Sequence, residues 1–428
     1  MSAPFGRPIV GNRWDSVAAA TAPTRSVSVV IAHFDQQRAL DRTLVALRRQ
    51  THPRELLQIV VADDGSPTPP IVPDDVTLAR HDDRGFRLAA VRNLGVRHST
   101  GDILCFLDAD TAPEPEYIAH IANLPSLAPD VVAVGRRRHA ALPDADDRPI
   151  EVAGPAHAIA EPAWLTDAYR RSRDLRDADA RSYRFIIGAV VACSRWLFDH
   201  VGGFDETFDA YGGEDWEWAY RAWLHGAAFA HVPGAVAWHD GPDWAGRDET
   251  DRRERKNAEA LRLMRSIRAP GAAPLALLGP ETDVLVRLRT AESVAAAVVC
   301  VDSLLQALPG ARIVVPTAVR AALDADPRIV DDWQGRIRVE IEVPTPVHVD
   351  ADASLRVREA AASVGDGDIG AIAFGSDAIV RATRASARDA RWGAPTGWRT
   401  ETQSAAGFTP LRDAPDLEAY FGGWWPAG

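Results

Sequence analysis

Acidic residues stand directly behind apolar runs at two places in the first third of the chain. Asp108-Ala109-Asp110 follows the run 103–107, and Asp63-Asp64 follows the run 58–62. Carboxylate oxygens grouped in this way suit a hard divalent cation such as Mg²⁺ or Mn²⁺ and the phosphates that such a cation bridges. Asp-Ala-Asp occurs five times in the chain, and only the copy at 108–110 directly follows an apolar run. A solvated turn is the competing interpretation of that copy.

The loop Asp63-Asp64-Gly65-Ser66 admits two interpretations. Asp, Gly and Ser all favour turns and caps, so a purely structural loop is sufficient to explain it. A carboxylate at this position can equally accept a hydrogen bond from the imide N–H of a uracil base. The residues alone leave both interpretations open.

The segment 212–218, Gly-Gly-Glu-Asp-Trp-Glu-Trp, combines paired glycines, three acids and two tryptophans. The glycines permit a tight turn, after which Glu214 and Asp215 open a predicted helix. Acids at a helix start usually cap it or interact with its dipole. A carboxylate beside a tryptophan ring such as Trp216 is also desolvated, which raises its pKa and suits a general base.

Three further residues could bind phosphate or a metal. Arg92 and Asn93 lie on a predicted amphipathic helix, where an arginine either meets phosphate or forms an exposed basic face. His239 follows an apolar run, and a lone histidine in that position is more often structural than a ligand. Beside a carboxylate metal site, a ligand role becomes the favoured interpretation.

These residues need a sheet that brings them together. Residues 27–31, 58–62, 103–107 and 131–135 are apolar, largely β-branched runs, which predict buried parallel strands. Residues 38–49 carry leucines at helical spacing between the first two runs. Strands that alternate with helices and end in acids predict a doubly wound α/β sheet, which binds its ligands at that edge.

The chain divides into three predicted parts. Residues 1–24 have little periodicity and predict a disordered or extended arm, and residues 25–267 form the domain that carries the acids. A Gly- and Pro-rich linker leads to residues 275–428, a second and smaller α/β unit without an acid pair behind a strand. We expect this unit to be non-catalytic. The last 30 residues, which include Trp424 and Trp425, predict an irregular tail.

Composition excludes several classes of protein. The chain has 428 residues and a net charge of −12, which argues against nucleic acid or an anionic membrane as the main partner. Lys256 is the only lysine, so the chain has no Walker A lysine and no plausible Schiff-base lysine. Three cysteines give no disulfide framework. No signal-peptide pattern and no run of about 18 apolar residues occurs, so we expect a cytoplasmic protein without a transmembrane segment.

In order and spacing, these elements resemble the inverting family 2 glycosyltransferases, which have the GT-A fold. The resemblance runs from about Ser26 to Gly241 and is carried by the DDGS loop, by residues 84–110 and by residues 202–223. The segment GFRLAAVRNLG and the final His239 are most similar to chondroitin-polymerase-like members and to polypeptide N-acetylgalactosaminyltransferases.

The resemblance implies a role for each residue that matches a family motif. It implies that the nucleotide is bound by His33, Phe34, Asp35, Asp63, Asp64, Arg92, Asn93 and Asp108. It implies that Mn²⁺ or Mg²⁺ is held by Asp108, Asp110 and His239. Asp215 is then the catalytic base that deprotonates the acceptor. Glu214 is a second catalytic carboxylate, and it faces the acceptor together with Trp216. The retaining N-acetylgalactosaminyltransferases carry Asn where this sequence has Asp215, which implies inversion here.

The function that the resemblance implies is a metal-dependent, inverting transfer of a sugar from a nucleotide diphosphate sugar, with a UDP-sugar favoured. The implied acceptor is a saccharide, a natural product or a peptide. Ala32-His33-Phe34-Asp35 departs from the usual Pro-Thr/Ala-Tyr-Asn of the family. The second unit would be a degenerate GT-A-like domain that binds the acceptor or a partner subunit.

Three alternatives to this function follow from the same residues. A catalytically silent nucleotide-sugar-binding protein on the same fold is the main one, and the intact Asp110, Asp215 and His239 argue against it. A nucleotidyltransferase lacks the expected Gly-rich loop and lysine, and a nicotinamide-dependent oxidoreductase lacks G-x-G-x-x-G after the first strand. We expect no nucleic-acid partner and leave a homodimer open.

Overall fold

The structure is a computed structural model that describes residues 3–242, 249–274 and 277–423, with the backbone alone for residues 249–252. Trp424 and Trp425 lie outside the described residues. The described residues form two compact units, the first within 1–178, 182–263 and 390–396 and the second within 179–181, 264–389 and 397–428. The predicted domains, 25–267 and 275–428, therefore differ from these units at residues 3–24, 179–181, 264–274 and 390–396.

The first unit alternates strands with helices along most of its length. Its strands are β1 (Val27–His33), β2 (Leu57–Asp63), β3 (Thr77–Arg80), β4 (Ile103–Asp108), β5 (Thr111–Pro113), β6 (Val131–Ala140), β7 (Ala158–Ile159), β8 (Val190–Ser194) and β9 (Ala228–Asp240). Its helices are α1 (Asp15–Ala18), α2 (Gln37–Leu47), α3 (Leu88–Arg97), α4 (Tyr117–Leu127), α5 (Ile150–Ala156), α6 (Ala163–Arg171), α7 (Arg195–Val201), α8 (Glu214–Leu224) and α9 (Glu249–Ser266). Short 3₁₀ turns occupy Arg54–Leu56 and Ser182–Phe185.

These strands form one mixed sheet in the order β3-β2-β1-β4-β8-β6-β9-β5, with β7 beside β6. β1 pairs in parallel with β2 and β4, and β8 runs antiparallel between β4 and β6. Every residue of β1 is buried, as its uninterrupted apolar sequence predicts for a central parallel strand. The predicted α/β class is confirmed, and the antiparallel strand β8 makes the sheet a mixed one.

The register of the central strands brings predicted site residues to one edge of the sheet. His33 pairs with Asp63 across β1 and β2, and Ala32 pairs with Asp108 across β1 and β4. Parallel strands end at the same edge, so the DDGS loop and Asp-Ala-Asp emerge next to each other.

β9 is a 13-residue strand that serves two partners. It pairs in parallel with β6, with a register shift after Gly135, and its end pairs antiparallel with β5. The second pairing places Thr111 opposite His239. The chain thereby brings Asp110 next to a histidine more than a hundred positions away.

The segment predicted as an arm is packed against the first unit within residues 3–24. Asn12 is fully buried, and its side-chain amide donates to the carbonyl oxygens of Leu175 at 2.6 Å and Phe229 at 3.0 Å. The side-chain oxygen Oδ1 of Asn12 accepts a hydrogen bond from the Phe229 N–H at 2.7 Å. Ile9 and Val17 join a small apolar cluster with α4. Long-range hydrogen bonds, which local periodicity does not reveal, order this segment.

The second unit has its own sheet and core. Its strands are β10 (Val284–Leu288), β11 (Arg312–Val314), β12 (Ile329–Val330), β13 (Val339–Val343), β14 (Val347–Val349), β15 (Ile369–Phe374), β16 (Ala378–Ala382), β17 (Arg399–Gln403) and β18 (Phe408–Pro410). Its helices are α10 (Val294–Ala307), α11 (Thr317–Arg320), α12 (Ala351–Ser363), α13 (Thr383–Trp392) and α14 (Leu417–Tyr420). Strands β17 and β18 replace the irregular tail that the sequence predicted. Within the described ranges, no helix is long and apolar enough to cross a membrane.

Candidate active site

The guanidinium group of Arg92 lies at the centre of the site. α3 places Arg92 in the interior, where 2% of the residue is exposed. Its Nη2 donates to Asp108 Oδ1 at 2.9 Å and its Nη1 donates to Glu214 Oε1 at 3.0 Å. Burial by itself lowers the pKa of Arg92, but the charges of Asp108 and Glu214 outweigh it and the net shift of the pKa is upward. Arg92 thus stays cationic and joins the end of β4 to the start of α8.

Two glycines determine how α8 begins. Gly212 and Gly213 have φ angles of 93° and 95°, in the left-handed region that residues with a Cβ rarely adopt. A Cβ on Gly213 would also lie 3.2 Å from Leu263 Cδ2. The turn makes Glu214 and Asp215 the first two residues of α8, where the helix dipole favours negative charge.

The Asp215 carboxylate is half-buried and held in a fixed orientation. Its Oδ2 accepts from the Gly188 N–H at 2.9 Å, and its Oδ1 accepts from the Trp216 N–H at 2.8 Å. Burial raises the pKa of Asp215 above the ordinary value for aspartate, against the opposing effect of these hydrogen bonds and of Arg92. Gly188 is needed for this contact, because a Cβ there would lie 2.7 Å from Arg92 Nη1. An oriented carboxylate with a raised pKa has the properties of a general base.

Glu214 is more deeply buried than Asp215, with 5% of the residue exposed. Its Oε1 pairs with Arg92, and its Oε2 is buried without a hydrogen-bond partner among the described residues. Burial, followed by the negative charge of Asp215, raises the pKa of Glu214 to about 7. Near neutral pH the group therefore exists in both protonation states and can donate or accept a hydrogen bond.

Asp110 and His239 form a second polar pair at the same edge of the sheet. His239 Nε2 lies 3.6 Å from Asp110 Oδ2, and His239 Nδ1 lies 3.3 Å from the carbonyl oxygen of Gly241. A carbonyl only accepts, so the ring donates from Nδ1 and its lone pair is on Nε2, on the Asp110 side. A backbone carbonyl that fixes the tautomer in this way is usual for a metal-binding histidine.

The donor set suits a divalent cation only in part. Burial, opposed by His239 and reinforced by the charge of Asp108, raises the pKa of Asp110 above its ordinary value. A bound cation would lower the pKa of Asp110 and so offset the effects of burial and of the Asp108 charge. Asp108, the third predicted ligand, is bound to Arg92 instead, and across the described ranges no three His, Cys, Asp or Glu side chains form a cluster that could hold a metal. Asp110 and His239 therefore stay the predicted direct ligands, and a cation held by them would need further ligands from the diphosphate or water.

Asp63 lies in the interior and organises the DDGS loop. It is fully buried, and its Oδ1 is 2.8 Å from His33 Nδ1. Its Oδ2 accepts from the Ser66 N–H at 3.1 Å and pairs with Arg80 Nε at 3.1 Å. The structure thus joins two predicted nucleotide-binding residues, His33 and Asp63, in one hydrogen-bonded group beneath the loop.

Asp64 points to the other side of the same loop. Its Oδ1 lies 2.5 Å from His81 Nε2, and its Oδ2 accepts from the Arg87 N–H at 2.9 Å. Phe34 follows β1 and is 47% exposed, and Asp35 has a φ of 50°, a left-handed conformation that aspartate tolerates. The Asp35 N–H donates to Ser66 Oγ at 2.8 Å, which ties the end of β1 to the DDGS turn.

The side chain of Asn93 does not face the acids that its neighbour Arg92 binds. Its side-chain amide donates to the Phe204 carbonyl at 2.9 Å and to Glu206 Oε1 at 3.0 Å, and its oxygen accepts from the Phe204 N–H at 2.9 Å. These bonds hold the loop that follows α7. Asn93 therefore remains only a predicted nucleotide contact, and its observed bonds are to protein.

A cleft of about 530 Å³ opens beside Arg92 and contains Trp216. The predicted residues that line it are Arg92, Asp108, Glu214, Asp215 and Trp216. Gly212 and Gly213 also line it, and residues that the sequence analysis did not assign to the site complete the wall: Leu88, Arg137, Trp164, Ile187, Gly188, Ala189, Tyr211, Arg253, Lys256 and Glu259. Lys256 Nζ lies 5.3 Å from the centroid of the Trp216 ring and donates to Glu259 Oε2 at 2.8 Å. Among these additional residues, the sequence singled out Lys256 alone, because it is the only lysine of the chain.

Two family models and several curated proteins match segments of this chain. Residues 28–201 match the family model described as glycosyl transferase family 2, and residues 176–238 match the model described as N-terminal domain of galactosyltransferase. A chondroitin synthase from Escherichia coli is 30% identical over 266 residues, which are 56% of this chain and 38% of that protein. A validoxylamine A glucosyltransferase from Streptomyces hygroscopicus subsp. limoneus is 31% identical over 237 residues, which are 48% of this chain and 50% of that protein.

Among solved structures, a mannosyltransferase from Pyrobaculum calidifontis in complex with GDP-Man and Mn²⁺ aligns with a TM-score of 0.42 and 21% identity. The alignment covers 61% of this chain and 72% of that one. The chain spans half or less of the length of the two curated relatives described above. The family resemblance inferred from the motifs is confirmed by these matches, because residues 28–201 of the first unit match the model of glycosyl transferase family 2.

Proposed function

We propose that this chain transfers a sugar from a nucleotide diphosphate sugar to an acceptor hydroxyl, with inversion at the anomeric carbon and with Mn²⁺ or Mg²⁺. The observation that carries the proposal is the arrangement around Arg92. One cleft contains an oriented carboxylate, Asp215, next to Asp108, the first acid of the Asp-Ala-Asp motif. Asp108 lies in the segment that matches glycosyl transferase family 2, and Asp215 lies in the segment that matches the N-terminal domain of galactosyltransferase.

The donor would bind at the edge where β1, β2 and β4 end. Asp110 and His239 would hold the cation, which neutralises the charge that develops on the leaving diphosphate. Asp108 would contact the ribose or the cation, held in position by Arg92. UDP is the favoured nucleotide because the resemblance assigns uracil binding to Asp64, which is the less buried of the two acids in the DDGS loop. The oxygens of Asp64 keep lone pairs beyond those used by His81 and Arg87.

Asp215 would act on the acceptor. Its carboxylate takes the proton of the acceptor hydroxyl as that oxygen forms a bond to the anomeric carbon on the face opposite the diphosphate. The bond from the anomeric carbon to the diphosphate breaks in the same step, and the nucleotide diphosphate leaves without needing a proton. Each carboxylate oxygen of Asp215 accepts one backbone N–H, which leaves lone pairs for the hydroxyl.

Trp216 and Glu214 would meet the acceptor beside the base. Trp216 is half-buried in the wall of the cleft, so part of its ring is available for contact with the apolar face of a sugar. Glu214 can serve as donor or acceptor for a neighbouring hydroxyl because its pKa is raised to about 7. A saccharide is the favoured acceptor, with a natural product or a peptide as the other classes.

The experiment that tests the donor site is calorimetric titration of UDP and GDP into the full chain, with Mn²⁺ and with EDTA. We expect UDP to bind only with Mn²⁺ and to lose binding in Asp110→Ala. The matched control is Asp144→Ala, which removes the first acid of another Asp-Ala-Asp copy whose side chain is 84% exposed. Binding of neither nucleotide by the wild-type chain would contradict the proposed donor.

The experiment that tests the base compares Asp215→Asn with Asp209→Asn, whose side chain is 70% exposed. Asp215→Asn should keep UDP binding and lower kcat about 10²- to 10⁴-fold, because a carboxamide cannot take the proton. Asp209→Asn should behave as wild type. Loss of UDP binding in Asp215→Asn would contradict the assignment of the base, and wild-type turnover in it would contradict inversion by this residue.

A further inference from the structure

The sheet of the second unit repeats the strand order of the first. Seven strands of the second unit lie in the order β12-β11-β10-β13-β16-β15-β17, and the corresponding run in the first unit is β3-β2-β1-β4-β8-β6-β9. In both, the first four strands of the run are parallel, the fifth is antiparallel to its neighbours, and the last two are parallel to each other. The strand that is fifth in the run follows the sixth along the chain in both units.

The small antiparallel ladder at the end of the first sheet also has a counterpart. In the first unit β5 pairs with the last residues of β9, and in the second unit β14 pairs with β18, which follows β17 after a break. A helix connects the short strand to the next long one in both units, α4 after β5 and α12 after β14. The two units therefore share nine strand segments in one topology.

The sequences of the two units can be aligned at two equivalent points of their sheets, and both points give the same alignment. Val27 pairs with Ile103 at the start of β4, and Val284 pairs with Val339 at the start of β13. Thr111, which begins β5, lies eight positions beyond Ile103, and Val347, which begins β14, lies eight positions beyond Val339. No insertion or deletion is needed between these points.

The predicted metal ligands of the first unit fall on prolines in the second. By this register, Pro344 occupies the position of Asp108 and Pro346 occupies the position of Asp110. Thr111 pairs with His239 in the first unit, and Val347 pairs with Pro410 in the second, so Pro410 occupies the position of His239. A proline side chain has no atom that can bind a cation, and its nitrogen has no proton for a phosphate.

The helices that carry the other site residues have no counterpart either. In the first unit α3 lies between β3 and β4 and carries Arg92, and α8 lies between α7 and β9 and carries Glu214 and Asp215. Residues 331–338 between β12 and β13, and residues 393–398 between α13 and β17, are all described and contain no helix. The second unit nevertheless keeps a continuous apolar core that includes Val286, Ile341 and Phe374.

We infer that the second unit is a second copy of the transferase sheet that has lost the donor site, so that one chain binds a single nucleotide sugar. The inference rests on the proposed function for the position of that one site. The loss is confined to the residues that would meet the cation, the diphosphate and the acceptor, while strand order and core are retained. Selection has kept the fold of the second unit without its transferase chemistry.

The test counts binding sites on the full chain by equilibrium dialysis of UDP in the presence of Mn²⁺. We expect one UDP per wild-type chain and none in Asp110→Ala. The control Asp352→Ala changes an exposed acid in an Asp-Ala-Asp copy of the second unit and should keep one UDP per chain. Two UDP per wild-type chain, a site that survives in Asp110→Ala, or loss of the site in Asp352→Ala would overturn the inference.

A second measurement separates this inference from the proposed function. Bound Mn²⁺ is counted without nucleotide, by electron paramagnetic resonance, in the wild-type chain and in Asp110→Ala. If the wild-type chain binds no UDP, the proposed function fails, and the metal count still decides the inference. A strongly bound Mn²⁺ that survives in Asp110→Ala would overturn it, whereas the absence of one in that variant supports it.

Discussion

Replacement of Glu214 by glutamine should change how the stability of the chain depends on pH. Glu214 is buried against Arg92 and Asp215, and its pKa is raised from 4.5 to about 7. A difference of one in pKa corresponds to about 1.4 kcal/mol, so ionising Glu214 in the folded chain costs about 3 kcal/mol more than in the unfolded chain. Glutamine has a similar shape and cannot ionise, and its carbonyl oxygen can keep the contact with Arg92.

The sign follows from proton binding. The folded chain holds the proton of Glu214 more tightly than the unfolded chain, so the stabilisation is complete below about pH 4.5 and is lost as the pH rises through about 7. Glu214→Gln should therefore match the wild type near about pH 4.5 and exceed it by about 3 kcal/mol near about pH 8. The variant gains nothing at low pH, because there both side chains are neutral.

The assay is urea unfolding of the metal-free chain in EDTA at both pH values, followed by tryptophan fluorescence. Each variant is compared with the wild type at the same pH, so that other titrating groups cancel. Glu116→Gln is the matched control, because the Glu116 side chain is 65% exposed and should show no difference at either pH. An equal effect of Glu214→Gln at both pH values would refute the reasoning, since the cost would then not arise from ionisation.

Three other substitutions test the packing of the site and of the first segment. Arg92→Leu should cost about 3–5 kcal/mol in urea unfolding, because it leaves two carboxylates without their buried cation, and an unchanged midpoint would contradict this. Gly188→Ala should cost about 1–3 kcal/mol and slow transfer, because the new Cβ would lie 2.7 Å from a guanidinium fixed by two ion pairs. Asn12→Ala should cost about 1–3 kcal/mol, measured in the same way, because it leaves the buried Phe229 N–H without an acceptor; wild-type stability would mean that this segment adds nothing to the fold.

The central strands could be predicted because their sequences are continuous apolar runs. β1, β2 and β4 occur within two residues of the predicted ends, and all carry residues that a buried parallel strand requires. β17 was not predicted, because its sequence Arg-Thr-Glu-Thr-Gln is polar and lies at the edge of the second sheet. An edge strand buries too little surface to need an apolar pattern.

Neighbouring residues in the site show the limit of motif reasoning. Asp63 and Asp64 follow one strand, yet the first is sealed beneath the loop and the second faces His81, because successive side chains leave a strand on opposite sides. Arg92 and Asn93 are adjacent on α3, and about 100° of helical turn sends one to the site and the other to the loop after α7. A motif gives the residues but not the direction of each side chain.

The sequence by itself determined the α/β class, the resemblance of the first unit to family 2 glycosyltransferases and the acids that stand behind its strands, because apolar periodicity and short motifs are local properties of a chain. Only the tertiary structure decided that Arg92 joins Asp108 to Glu214, that β9 brings His239 to Asp110, and that the single lysine lines the cleft. It also revealed the repeated sheet, since strand order depends on pairing between distant segments. Those pairings are settled by burial and hydrogen bonding across the whole fold, which no local pattern records.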